Sequence, residues 1–114
     1  MTPEGAVQLS IIRYLKARGY VVGKTKTMGV RRGKSFCLDP YTFRGFSDLV
    51  AFVNNKIYFI EVKSEKGKQS FEQMVFQKLV EDAGLTYILA RRVEDVIKTM
   101  RFYERTKTDS YRRS

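Results

Sequence analysis

The chain has 114 residues, the size of one domain. Its 22 Lys and Arg against 12 Asp and Glu leave a net charge of +10, which points to a polyanionic partner, most often nucleic acid. There is no histidine and a single cysteine, which excludes His-based catalysis, an internal disulfide and Cys-rich zinc sites.

No apolar run reaches the roughly 18 residues that a membrane span needs. No GxxxxGK[ST] loop occurs, so no nucleotide cofactor is expected. The start, Met1-Thr2-Pro3-Glu4, lacks the features of a signal peptide, and one cysteine fits a reducing compartment. The expected location is the cytosol.

Residues 2–18 read as a helix. Thr2 can cap it, Pro3 suits its first turn and Glu4 favours the positive end of its dipole. Val7, Ile11 and Leu15 recur at helical spacing, with Ala6, Leu9 and Ile12 beside them. Gly19 stops the helix, and Tyr20-Val21-Val22 begins a short strand. A loop is expected from about Gly23 to Gly45.

Asp48 to Val53 reads as a strand. Asn54-Asn55 is a two-residue turn that tolerates positive φ, and Lys56 to Lys63 returns as the second strand of a hairpin. Both strands are apolar on both faces, so layers are expected on each side of the sheet. Ser70 opens a helix from Phe71 to Ala83, which Gly84 ends. Thr86 to Ala90 is a further strand. Val93 to about Tyr103 is a last helix, with Val93, Val96, Ile97 and Met100 on one face. The expected order is αβββαβα, a mixed central sheet flanked by helices. Residues 1–104 form one domain, and the basic stretch 105–114 is expected to be a flexible tail.

The hairpin turn fixes a register. Val53 opposes Lys56, Phe52 opposes Ile57 and Val50 opposes Phe59, which sets Asp48 opposite Glu61. Side chains alternate, so both acids share a face with Lys63. A symmetric four-residue turn keeps this pairing, and a three-residue turn breaks it. Like charges placed opposite each other destabilise a sheet and resist joint ionisation. Lys63 is one compensating group. A bound Mg²⁺ or Mn²⁺ is another, since hard cations take carboxylate, carbonyl and water oxygens. The Val62 carbonyl stands between the two side chains and is placed to join such a set. The constellation suits metal-dependent phosphodiester hydrolysis, with Lys63 orienting water or stabilising developing negative charge. Taken singly, Glu61-x-Lys63 is a salt-bridged strand end and Asp48 a strand-initiating acid. The joint arrangement on an otherwise apolar strand pair carries the catalytic reading.

Between Glu4 and Asp39 there is no acid, while Arg13, Lys16, Arg18, Lys24, Lys26, Arg31, Arg32 and Lys34 all fall there. Lys24, Lys26, Arg31, Arg32 and Lys34 are read as a phosphate-contacting loop, joined by Arg44, Lys66 and Lys68 beside the site. Such contacts position a backbone and carry no sequence information. Arg91 and Arg92 are read as solubility or weak binding. Tyr41, Phe43 and Phe46 could stack on unpaired bases or wedge a junction, or equally be core, and Phe46 is read as core. Cys37 is read as a small buried hydrophobe, since nothing beside it could act as its base. Ser70-x-x-Gln73 is a capping box, and Gln77 is read as surface.

The split motif Gly45-Phe46-Ser47-Asp48 and Glu61-Val62-Lys63, continued by the run to Gln73, resembles the virus-type replication-repair nuclease domain, VRR-NUC, of the PD-(D/E)xK superfamily. Ser47 stands where the superfamily's name has proline. The resemblance spans about residues 2–100 and is strongest over 45–84. It implies a restriction-endonuclease-like fold and a Mg²⁺ or Mn²⁺ site. Asp48, Glu61 and the Val62 carbonyl would be ligands, Lys63 would be catalytic and Gln73 would support the site. Glu4 would touch the metal or its water shell. It also implies a stand-alone, phage-like homodimer of the Holliday-junction-resolvase kind acting on branched DNA. The alternatives are a non-catalytic nucleic-acid-binding protein on the same fold, or a nuclease acting on flaps, linear DNA or RNA.

Overall fold

The computed structural model describes residues 1–25 and 40–113, with side chains described through Arg105. Seven elements follow in chain order: α1 (Pro3–Ala17), β1 (Val21–Lys24), β2 (Leu49–Val53), β3 (Lys56–Val62), α2 (Phe71–Asp82), β4 (Thr86–Ala90) and α3 (Val93–Arg113). The order matches the sequence expectation. The strands form one mixed sheet in the order β1-β2-β3-β4. The first three are antiparallel, and β4 runs parallel to β3.

Local chemistry sets the ends of these elements. The Thr2 hydroxyl accepts the Gly5 N–H at 3.0 Å and caps α1. Asn54 and Asn55 have φ of 49° and 68°, the left-handed pair that a two-residue hairpin of type I′ needs. Gly84 ends α2 at φ 80°. β1 runs two residues further than Tyr20-Val21-Val22 suggested, because Gly23 and Lys24 pair with Val50 and Leu49. The last helix passes Tyr103 and continues to Arg113. Apolar spacing fades beyond Tyr103, but no Gly or Pro follows to interrupt the helix.

Alternation along β2, β3 and β4 divides the side chains between two layers. Leu49, Ala51, Val53, Tyr58, Ile60, Val62, Ile88 and Ala90 face α1 and α3, where Ile11, Leu15, Val96 and Met100 complete the main core. Burying each large aliphatic side chain there contributes roughly 1.5–3 kcal/mol. The opposite face carries Phe59, Tyr87 and Leu89, which meet Phe76 and Val80 of α2 together with Phe46. This second layer covers only part of the sheet. Phe52, on that face near the hairpin, is 52% exposed. No described helix is long and apolar enough to cross a membrane.

Candidate active site

The antiparallel ladder of β2 and β3 pairs Val53 with Lys56, Phe52 with Ile57, Val50 with Phe59 and Leu49 with Ile60. One step beyond its end stand Asp48 and Glu61, as the register required. Both are buried, at 8% and 1% exposure. The Asp48 carboxylate closes the ladder: its Oδ2 accepts the Val62 N–H at 2.9 Å. Along a strand the N–H and C=O of one residue face the same neighbour. The Val62 carbonyl is therefore turned to the Asp48 side of β3.

Three contacts hold the segment that delivers Asp48. The Thr25 N–H donates to the Asp48 carbonyl at 3.0 Å, and the Thr25 hydroxyl donates to the Ser47 carbonyl. The fully buried Ser47 hydroxyl donates to the Leu49 carbonyl at 3.1 Å. Just upstream, Gly45 has φ 71°. A Cβ there would lie 2.6 Å from the Gln73 nitrogen and would also strike the Glu72 carbonyl group. Only glycine lets this turn close against the first turn of α2.

That first turn carries Gln73. The Ser70 hydroxyl accepts the Gln73 N–H at 3.1 Å, and the Gln73 Oε1 accepts the Ser70 N–H at 2.9 Å, so the capping box is complete. The other end of the same amide donates from Nε2 to Glu61 Oε1 at 3.1 Å. The cap and the site role are therefore both true of Gln73. Lys63 leaves β3 half-buried, two residues past Glu61. Among the described residues its ammonium has no hydrogen bond or ion pair. Glu4, from the start of α1, reaches the same place: its Oε1 accepts the Ser64 N–H at 3.3 Å.

The donor set is all oxygen, two carboxylates with a carbonyl nearby, and includes no imidazole or thiolate. This suits Mg²⁺ or Mn²⁺. No group of three or more His, Cys, Asp or Glu that could hold a metal occurs among the described residues. A cation here would take its remaining ligands from water and substrate, as Mg²⁺ commonly does. Glu4 joins the backbone beside Lys63 and does not complete a three-acid group.

Of the basic residues, Lys24 is exposed at the end of β1, next to the Thr25 contact with Asp48. Lys66 and Lys68 are exposed on the loop between Lys63 and α2. Arg44 lies beside Glu72, with 3.6 Å between them and both side chains mostly exposed. Lys26, Arg31, Arg32, Lys34 and Cys37 lie outside the described residues. Phe46 is core, packed between Phe59 and Phe76. Phe43 rests one edge on Phe46 and Phe76 yet stays 61% exposed.

Two groups read as surface have other work. Gln77 is half-buried, accepting from Gln69 Nε2 at 3.0 Å and donating to Glu81 at 2.8 Å. Gln69 Nε2 also donates to the Tyr87 hydroxyl at 3.2 Å. Burial pushes the Tyr87 phenol up to about 12, with the charges of Glu61 and Asp48 adding to the rise. Arg91 spends its side chain on backbone carbonyls of the loop after Lys63. Sequence pattern gives no signal for this, because the partners are main-chain atoms.

A solved structure described as a VRR_NUC domain matches this chain with a TM-score of 0.68 and 25% sequence identity, covering 90% of this chain and 99% of that one. The chain has the VRR-NUC fold. No family model matches the sequence, and no curated protein matches it. The VRR-NUC fold is a nuclease fold of the PD-(D/E)xK type.

Proposed function

We propose that this chain is a metal-dependent DNA endonuclease that acts as a homodimer on branched DNA, with four-way junctions as its principal substrate. The observation that carries the catalytic reading is the pairing of Asp48 with Glu61. Two buried acids stand one register step past the last pair of the β2–β3 ladder, with Lys63 two residues beyond Glu61.

The residues divide the work. Asp48 and Glu61, with the Val62 carbonyl, would hold the cation. A divalent cation in such a site supplies Lewis acidity toward a phosphate and lowers the pKa of water. The Val62 amide fixes the Asp48 carboxylate, and the Gln73 amide fixes that of Glu61, so neither must reorganise when substrate arrives. Lys63 orients the attacking water or stabilises the negative charge that develops on the phosphate. Hydrolysis leaves a 5′-phosphate and a 3′-hydroxyl. Lys24, Arg44, Lys66 and Lys68 track the phosphate backbone without reading sequence.

Resolution of a four-way junction needs two matched cuts, and a two-fold dimer supplies two sites. The outward face of α2 exposes Phe71, Met74, Val75 and Leu79, apolar surface of the kind that a second copy covers. The test is a panel of labelled four-way junction, flap, linear duplex, single-stranded DNA and RNA, each with Mg²⁺, Mn²⁺ or EDTA. Paired symmetric cuts on the junction, lost in EDTA, are expected. Metal-dependent cutting confined to flaps, linear DNA or RNA would overturn the junction assignment. Binding without cutting under every metal condition would overturn the enzyme.

A further inference from the structure

We propose that Arg91 is a positioning residue for Lys63, an inference that rests on the nuclease reading above. Arg91 is the first residue after β4, which runs parallel to β3, and the Lys63 N–H donates to the Ala90 carbonyl at 3.0 Å. Arg91 therefore lies level with Lys63 on the neighbouring strand. Its own N–H donates to Asp95 Oδ2 at 2.8 Å, which ties it to the first turn of α3.

From that anchor its guanidinium reaches the turn that follows Lys63. The Nη1 donates to the carbonyls of Ser64, Glu65 (3.2 Å) and Gly67 (2.8 Å). No acid pairs with it among the described residues. An arginine serving only solubility would extend into water. This one instead gathers three carbonyls of a single turn.

The turn in question lies on the stem of Lys63. The Gly67 N–H donates to the Ser64 carbonyl at 3.1 Å. A Cβ at Gly67 would sit 3.5 Å from the Lys63 Cβ and 3.0 Å from the Ser64 hydroxyl. The turn thus folds back over the side chain it follows. Glu4 holds its first amide from the opposite layer, at 3.3 Å. The far end of the same loop is Ser70, whose N–H donates to Gln73 Oε1 at 2.9 Å. Arg91 fastens the turn next to Lys63, at the start of a segment that runs on to Gln73. Catalytic geometry is sensitive to displacements of about 1 Å, so release of this turn should cost turnover.

The test uses Arg91→Ala and Arg91→Lys beside Arg92→Ala, whose exposed partner is the Glu65 carboxylate. In Arg91→Ala, kcat should fall roughly 10- to 100-fold with KM for DNA nearly unchanged, a size typical of groups that orient catalytic side chains. Added guanidinium ion should restore part of the loss, Arg91→Lys should be intermediate, and Arg92→Ala should match wild type. Independently of cleavage, hydrogen exchange at the Gly67 amide in metal-free protein should accelerate in Arg91→Ala. Unchanged kcat, or a raised KM with unchanged kcat and a shallower salt dependence, would overturn the proposal and make Arg91 a phosphate contact or a bystander. If Arg91→Ala did not fold, a wild-type kcat in Arg91→Lys with slow Gly67 exchange lost would overturn it. If the wild-type protein cut no DNA while Gly67 exchange still depended on Arg91, the nuclease reading would fail and Arg91 would be a structural clamp only.

Discussion

The side-chain amide of Gln73 joins the cap of α2 to Glu61, accepting the Ser70 N–H through Oε1 and donating to Glu61 Oε1 through Nε2. The opposite orientation would set an N–H₂ against an N–H and an oxygen against a carboxylate. The cap thereby dictates which end of the amide meets the acid. The fold-forming function and the site function use different atoms of one side chain.

The two functions separate by mutation. Ser70→Ala should remove about 1 kcal/mol of stability, as loss of a cap does, and leave turnover close to wild type. Gln73→Ala should cost a similar amount of stability and, in addition, roughly 10- to 100-fold in kcat. Denaturant unfolding and single-turnover cleavage on the same preparations check this. Equal activity losses in the two variants would reduce Gln73 to a capping residue.

At Asp48 the expected outcome depends on the replacement. Asparagine keeps an oxygen that can accept the Val62 N–H and removes one negative charge from beside Glu61. Asp48→Asn should therefore melt above Asp48→Ala in EDTA. Asp48→Ala leaves that buried N–H without its acceptor, at a cost of about 1–3 kcal/mol. Thermal melts of the three proteins in EDTA give the order directly.

Gly45 combines a positive φ with backbone contact against Glu72 and Gln73. Gly45→Ala adds the left-handed strain of an L residue, about 1–2 kcal/mol, to a clash with atoms that cannot rotate away. It should destabilise by more than the strain alone and shift the first turn of α2. Urea unfolding checks the stability loss. The NMR shift of the Gln73 side-chain amide reports the displacement.

Tyr87 makes stability fall at high pH. Its phenol lies near 10 when unfolded and at about 12 when folded, so the fold favours the protonated form. That contribution is whole below pH 10 and is lost as pH rises from 10 to 12, about 2–3 kcal/mol in all. Tyr87→Phe should remove this part of the slope. Some slope should remain, because burial also raises Tyr58. Urea titrations at pH 9 and pH 11.5 supply the comparison.

Much of this architecture was legible from the chain because local and tertiary signals agree. Asn54-Asn55 fixed the hairpin, the hairpin fixed the register, and the register brought Asp48 to Glu61. The Thr2 and Ser70 caps marked helix starts that tertiary packing also favours. The parts that were not legible depend on main-chain partners or on propensity beyond the core. Arg91 binds carbonyls, which leave no trace in residue type. The Glu4 contact to Ser64 spans 60 residues and ends on an amide. The extension of α3 to Arg113 follows helix propensity after the apolar spacing has stopped. The incomplete layer over Phe52 was hidden because an apolar strand reads alike whether a helix covers it or not.

The central claim is that Asp48 and Glu61 form a metal-dependent site for phosphodiester hydrolysis. Its most direct test is cleavage of an end-labelled four-way junction by wild type and Asp48→Asn, each with Mg²⁺ and with EDTA, with binding followed in parallel. The account predicts cleavage by wild type with Mg²⁺ alone, and undiminished binding without cleavage by Asp48→Asn. Cleavage by Asp48→Asn at the wild-type rate, or by wild type in EDTA, would contradict it.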